Sequence, residues 1–182
     1  MKLSPKKLNE GLTLCFPANL KGITLDSPAI EIYTDFKKTR PLVIEGDVKI
    51  DDAIELMKNA HVQLKLVVKD TTNLLGIVSY ADLIGEKPLQ LESRERISRD
   101  EILISDSMNP IKNLKALSLA DLQESTIREV SEEHKEEHVK HQLIIDNGSI
   151  CGLISATDIA KKVNLPIQID ELSSFKKIFK VM

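Results

Sequence analysis

The chain has 182 residues, is 42% hydrophobic and carries 25 basic against 28 acidic side chains, a net charge of −3. The charges are interspersed, which argues against an extended basic face for nucleic acid, and no apolar run is long enough to span a bilayer. Met1 to Leu20 mixes lysines with scattered apolar residues and has no signal-peptide core, so a soluble, cytoplasmic protein is expected.

Residues 1–35 hold Gly11, Pro17, Gly22 and Pro28 among short apolar patches and read as an N-terminal arm docked loosely on the rest. A first unit spans 36–89. Within it, Asp51 to Ala60 is a helical pattern with Ala53, Ile54, Met57 and Ala60 along one face. Leu66-Val67-Val68 and Leu74 to Val78 then read as buried strands, joined by the turn Asp70-Thr71-Thr72-Asn73. The second strand runs through Gly76-Ile77-Val78-Ser79 into a helix that opens Tyr80-Ala81-Asp82. Residues 90–107 are a charged connector, helical because Ser98-Arg99-Asp100-Glu101 has the spacing of a capping box.

Residues 108–165 repeat the first unit. Gly152-Leu153-Ile154-Ser155-Ala156-Thr157-Asp158 echoes the stretch from Gly76, Leu143-Ile144-Ile145 echoes the strand, and Ile127, Val130 and His134 echo the helix face. His61 and His138 lie 77 residues apart but Gly76 and Gly152 only 76, so one residue is lost in the turn Asp146-Asn147-Gly148-Ser149. About eight extra residues around Leu114 to Leu122 add a turn of helix at the start of this copy. A repeat of about 50 residues is too small to be stable alone, which predicts two pseudo-symmetric halves sharing a core. In 166–182, Leu172, Phe175, Ile178, Phe179 and Met182 form the apolar face of a short amphipathic helix, packed on its own domain or on a partner.

Ser-x-x-Asp is a capping box, so Ser79 with Asp82 and Ser155 with Asp158 cap helices whatever else they do. The same positions also suit a ligand. A helix N-terminus at a strand end favours phosphate, and an aspartate one turn in can accept from two adjacent ribose hydroxyls. Cys15 and Cys151 have no metal or redox spacing and read as free thiols. His134 and His138 have a zinc-compatible spacing, with His141 following, but Lys135 stands where a metalloprotease helix needs glutamate. The cluster reads as boundary or solvated histidines, with a pH-sensitive contact as the intermediate reading, and no metal site is assigned. There is no nucleophile with its base, no Gly-rich loop and no carboxylate pair in a cleft, so no catalytic residue is assigned and an enzyme is not expected. The weak constellation of His138 or His141 with Asp158 does not change that.

The doubled Gly-apolar-apolar-Ser-x-x-Asp, the strand pairs before it, and Ile104-Ser105-Asp106-Ser107-Met108-Asn109-Pro110 at the entry to the second copy resemble the cystathionine-β-synthase (CBS) domain in tandem, the Bateman module. The resemblance covers residues 36 to 165 and implies a stand-alone CBS-domain protein. The implied fold is α/β (α+β), two β-α-β-β-α repeats packed sheet to sheet and associated as a homodimer. It also implies clefts for an adenosine compound such as AMP, ADP, ATP or S-adenosylmethionine, as a regulatory ligand rather than a required cofactor, and a regulated partner protein. Carried over by position, the ligand residues are Ser155, Thr157, Asp158, Lys140 and His141 in the second half, and Ser79 and Asp82 in the first. The second half is the better site, because Ala81 replaces the hydroxyl of Thr157, and Gln63 and Leu64 replace the basic pair; Lys65 and Arg40 are the first half's candidate phosphate partners. The alternative is a ligand-free interaction or dimerisation module.

Overall fold

The computed structural model describes residues 22–163 except residue 138. The expectations for residues 1–21, Cys15, His138 and the helix at 166–182 lie outside the described residues. In chain order the elements are β1 (Thr34–Asp35), β2 (Val43–Glu45), α1 (Ile50–Asn59), β3 (Leu64–Lys69), β4 (Asn73–Ser79), α2 (Tyr80–Ile84), α3 (Glu86–Glu95), α4 (Ile104–Ser107) and β5 (Asn109–Pro110). The second half continues with β6 (Ala116–Ser118), α5 (Leu119–Glu124), α6 (Ile127–Glu136), β7 (His141–Asp146), β8 (Ser149–Ser155) and α7 (Ala156–Lys162).

The strands form two four-stranded sheets, ordered β2-β3-β4-β5 and β1-β8-β7-β6. In each, a hairpin is flanked by one parallel strand from its own half and one short antiparallel strand from outside it. The hairpins differ where one residue is lost. Lys69 pairs with Asn73 across a three-residue loop with Asp70 and Thr71 at positive φ, and Asp146 pairs with Ser149 across Asn147-Gly148, both left-handed. Two left-handed central residues are what a two-residue hairpin turn requires, hence Asn-Gly.

The strands are apolar on both faces because both are buried, and alternate residues face different layers. Val67 and Val78 pack with Ile50, Ala53 and Met57 of α1, while Ile144 and Ile154 pack with Ile127 and Val130 of α6. Their neighbours Leu66, Ile77, Leu143 and Leu153 point the other way and meet in a third apolar layer that joins the two sheets. This is the sheet-to-sheet packing of two pseudo-symmetric halves.

The segment expected to dock loosely is firmly built in where it is described. Ala29 and Ile32 are fully buried in the second half's core. Ile127 N–H donates to Ser27 O at 3.0 Å and Ala29 N–H to Ser125 O at 2.9 Å, which fixes residues 27–29 at the start of α6. The connector does the same for the first half, with Ile50 N–H donating to Ile102 O at 3.0 Å and Ile104 N–H to Val48 O at 2.9 Å. Each half is therefore completed by a segment that leads into the other. β1 precedes the first half but pairs with β8, and β5 opens the second half but pairs with β4.

That exchange accounts for the glycines of the repeated motif. A β-bulge in each hairpin, at Val67/Val68 and Ile144/Ile145, turns the chain beside Gly76 and Gly152. A Cβ on Gly152 would lie 2.6 Å from the Tyr33 ring and 2.7 Å from Thr34 O, and one on Gly76 would overlap Asn109 O and touch Pro110 Cα at 3.0 Å. Both glycines let the exchanged strand approach. Cys151 is buried beside Gly152 as a free thiol, its pKa raised mainly by burial, and Sγ donates to Ile144 O at 3.5 Å.

Candidate functional site

Both Ser-x-x-Asp motifs sit where a strand turns into a short helix. Asp82 N–H donates to Ser79 Oγ at 3.1 Å, and Asp158 N–H to Ser155 Oγ at 3.0 Å. Each serine hydroxyl in turn donates to its aspartate Oδ2, at 2.6 Å and 2.7 Å. The caps thus use one N–H of each helix start that sequence reasoning offered to phosphate.

The two aspartates differ in how fully they are engaged. Ser79 N–H also donates to Asp82 Oδ2, at 3.1 Å, which completes a reciprocal capping box. Lys87 Nζ, at the start of α3, lies 3.6 Å from Asp82 Oδ1 and donates to Ser107 O at 3.3 Å. Asp158 has neither contact: among the described residues its carboxylate accepts only from the Ser155 hydroxyl. Among the described residues its Oδ1 accepts no hydrogen bond, whereas both oxygens of Asp82 are engaged.

Sequence reasoning missed Lys87. The aligned residue of the second half is Val163, and this departure from the repeat was the available signal. Of the partners considered for the first half, Lys65 Nζ donates to Val43 O at 3.3 Å, and Arg40 is exposed.

His141 opens β7 directly opposite Ser155, and the carbonyl of exposed Lys140 accepts from Ala156 N–H at 3.0 Å. The strand thereby brings Lys140 and His141 to the start of α7, beside Ser155 and Asp158, while Thr157 is half-buried in the helix's first turn. The His141 pKa is lowered to about 4, by burial first and by the Lys140 charge second, against the opposing pull of Asp158 and Asp82. An imidazole of the second half thus feels the aspartates of both halves.

Behind it stands His134 of α6, fully buried, with neither ring nitrogen hydrogen-bonded among the described residues. Burial, then the neighbouring His141, lowers its pKa to about 4. The aligned residues of the first half are Met57 and Leu64, so two apolar positions of one half are a pair of adjacent imidazoles in the other. No group of three or more His, Cys, Asp or Glu is placed to hold a metal ion among the described residues. Nor is any described helix long and apolar enough to cross a membrane.

A pair of exchanged β-α-β-β-α halves with a capped aspartate at each strand end is the architecture of the CBS domain pair. The family model of the CBS domain matches residues 34–88. Residues 34–88 therefore belong to the CBS domain family, and the second half repeats their fold.

Solved structures share this fold. An uncharacterised conserved protein from Pyrococcus horikoshii is 19% identical with a TM-score of 0.56, the match covering 79% of this chain and 97% of that one. CBSX2, solved in complex with AMP, is 18% identical with a TM-score of 0.55, over 74% and 94%. The CBS domain of a bacterial CNNM/CorC family Mg2+ transporter, solved in complex with ATP, is 16% identical with a TM-score of 0.56, over 79% and 91%. No curated protein matches the sequence.

Proposed function

We propose that the protein is a cytoplasmic, non-catalytic regulatory module that binds an adenosine nucleotide, AMP, ADP or ATP-like, in the cleft of its second half and signals the occupied state to a partner protein as a homodimer. The observation that carries this reading is the contrast between Asp158, with one carboxylate oxygen unengaged among the described residues, and Asp82, held by its capping box and by Lys87. Asp158 accepts the ribose hydroxyls, with Ser155 and Thr157 beside it and Lys140 and His141 toward the phosphates. Ser79 and Asp82 form the weaker site. The AMP and ATP held by two proteins of the same fold support the ligand class. Binding acts on the partner only so far as the nucleotide prefers one arrangement of the halves or of the dimer over another.

Isothermal titration with ATP and AMP tests this. Hydrogen bonds to a charged group contribute about 1.5–3 kcal/mol, so Asp158→Ala should weaken binding by roughly ten- to a hundredfold and Asp82→Ala by far less. Equal effects would remove the assignment to the second half.

The cap geometry favours a second reading, in which the motif only starts helices and the protein is a ligand-free interaction or dimerisation module. Ser155→Ala would then cost about 1 kcal/mol of stability, as a lost cap does, and wild-type protein would give no heat with either nucleotide.

A further inference from the structure

We propose that Lys87 latches the first half: it holds the Asp82 oxygen that a ribose hydroxyl would take, and a ligand that displaces it also loosens the chain ahead of the exchanged strand β5. The inference rests on the nucleotide reading above and specifies how the first-half site is regulated.

In each half a lysine at or just past the end of the Ser-x-x-Asp helix reaches across to the segment that leads into the exchanged strand. In the second half, Lys162 Nζ donates to Glu31 O at 3.0 Å, just ahead of β1. In the first half, Lys87 Nζ donates to Ser107 O at 3.3 Å, just ahead of β5. The two lysines are one position apart in the repeat, since Lys162 aligns with Glu86 and Lys87 with Val163. That shift changes what the ammonium meets. Lys87 Nζ also lies 3.6 Å from Asp82 Oδ1, whereas among the described residues Lys162 forms no ion pair with Asp158.

One ammonium therefore holds the aspartate of the first half and the neck of the connector together. Ser107 is buried, and its Oγ has no partner among the described residues, so the carbonyl taken by Lys87 is its polar tie to α3. A hydroxyl that claims Asp82 Oδ1 draws Lys87 off and weakens that tie. Occupancy of Asp158 leaves the bond from Lys162 to Glu31 untouched. The two clefts thus differ in consequence as well as in affinity, because only the first reports to its exchanged strand. Both partners of the latch are partly exposed, at 45% and 35%, so it is a bias that a ligand overcomes and not a lock.

The test uses the full chain and adenosine, a ribose ligand with no phosphate for Lys87 to attract. It is titrated calorimetrically into Asp158→Ala, which weakens the second-half site, and into the same variant carrying Lys87→Met, which keeps the stem and removes the charge. Loss of the ammonium should tighten adenosine binding by roughly two- to fivefold, the range of an exposed ion pair. Amide hydrogen exchange reads the other contact. With Lys87 present, adenosine should speed exchange at Met108 and Asn109 by a similar factor; with methionine there, exchange should already be faster and adenosine should not change it. Equal adenosine affinity in the two variants, or none in either, would overturn the latch, while ATP binding by wild-type protein would leave the nucleotide reading standing. Tighter binding with no change in exchange would overturn the link to β5. Wild-type protein that binds neither ATP nor adenosine would overturn the nucleotide reading, and the latch with it.

Discussion

Replacing Gly76 by alanine should cost about 3 kcal/mol or more of unfolding free energy, at or above the upper end of what an overpacked methyl group usually does. The new Cβ would meet only backbone: Asn109 O, Asn109 C and Pro110 Cα. No side chain can rotate out of the way, so β5 must leave β4, and β5 is the strand through which the second half enters the first half's sheet. Gly152→Ala is the matching change against β1, and it should cost less, because part of the obstruction is the Tyr33 ring, which can turn. Gly22, with nothing within 4 Å of an added Cβ, is the control and should stay within about 0.5 kcal/mol. Urea denaturation of the three variants orders them. Gly76→Ala no worse than Gly22→Ala would mean that the exchanged strand does not hold the halves together.

The repeat was legible in the sequence because its marks are local. Asn147-Gly148 makes a tight turn by its own dihedral preference, Ser79 and Ser155 cap helices that begin one residue later, and the apolar faces of α1 and α6 follow from period alone. What the glycines do was not legible. Gly76 is required by Asn109 and Gly152 by Tyr33, partners far along the chain that only the strand exchange brings near. For the same reason residues 22–35 look like a loose arm when read in order, since the core that buries Ala29 and Ile32 belongs to the second half.

At the site, the capped aspartates and the Lys140-His141 pair could be placed by aligning the two copies. The engagement of Asp82 by Lys87 arises from packing between elements with no fixed spacing. The copies' differences were more informative than their agreement: Val163 against Lys87 and Leu64 against His141 mark where the halves have diverged in chemistry.

Met57 against His134 is the divergence with the largest consequence for stability. His134 is fully buried with both ring nitrogens unpaired among the described residues, and its pKa falls from 6.5 to about 4, chiefly through burial. The unfolded chain therefore binds a proton that the folded chain refuses between those values, so this residue's contribution is fully present above pH 6.5 and is lost as the pH falls toward 4. A depression of that size corresponds to roughly 3 kcal/mol lost across the window. His134→Met, which installs the first half's side chain, should make the protein more stable at pH 7.5 by about 1 kcal/mol, the low end of the cost of a buried unpaired polar group. At pH 4.5 the gain should be about three to four times as large. The reciprocal Met57→His should bring acid sensitivity into the first half. Urea midpoints for wild type and both variants at the two pH values decide it: a constant offset between wild type and His134→Met would mean that the imidazole finds a partner on protonation, and that the second half is no more acid-labile than the first.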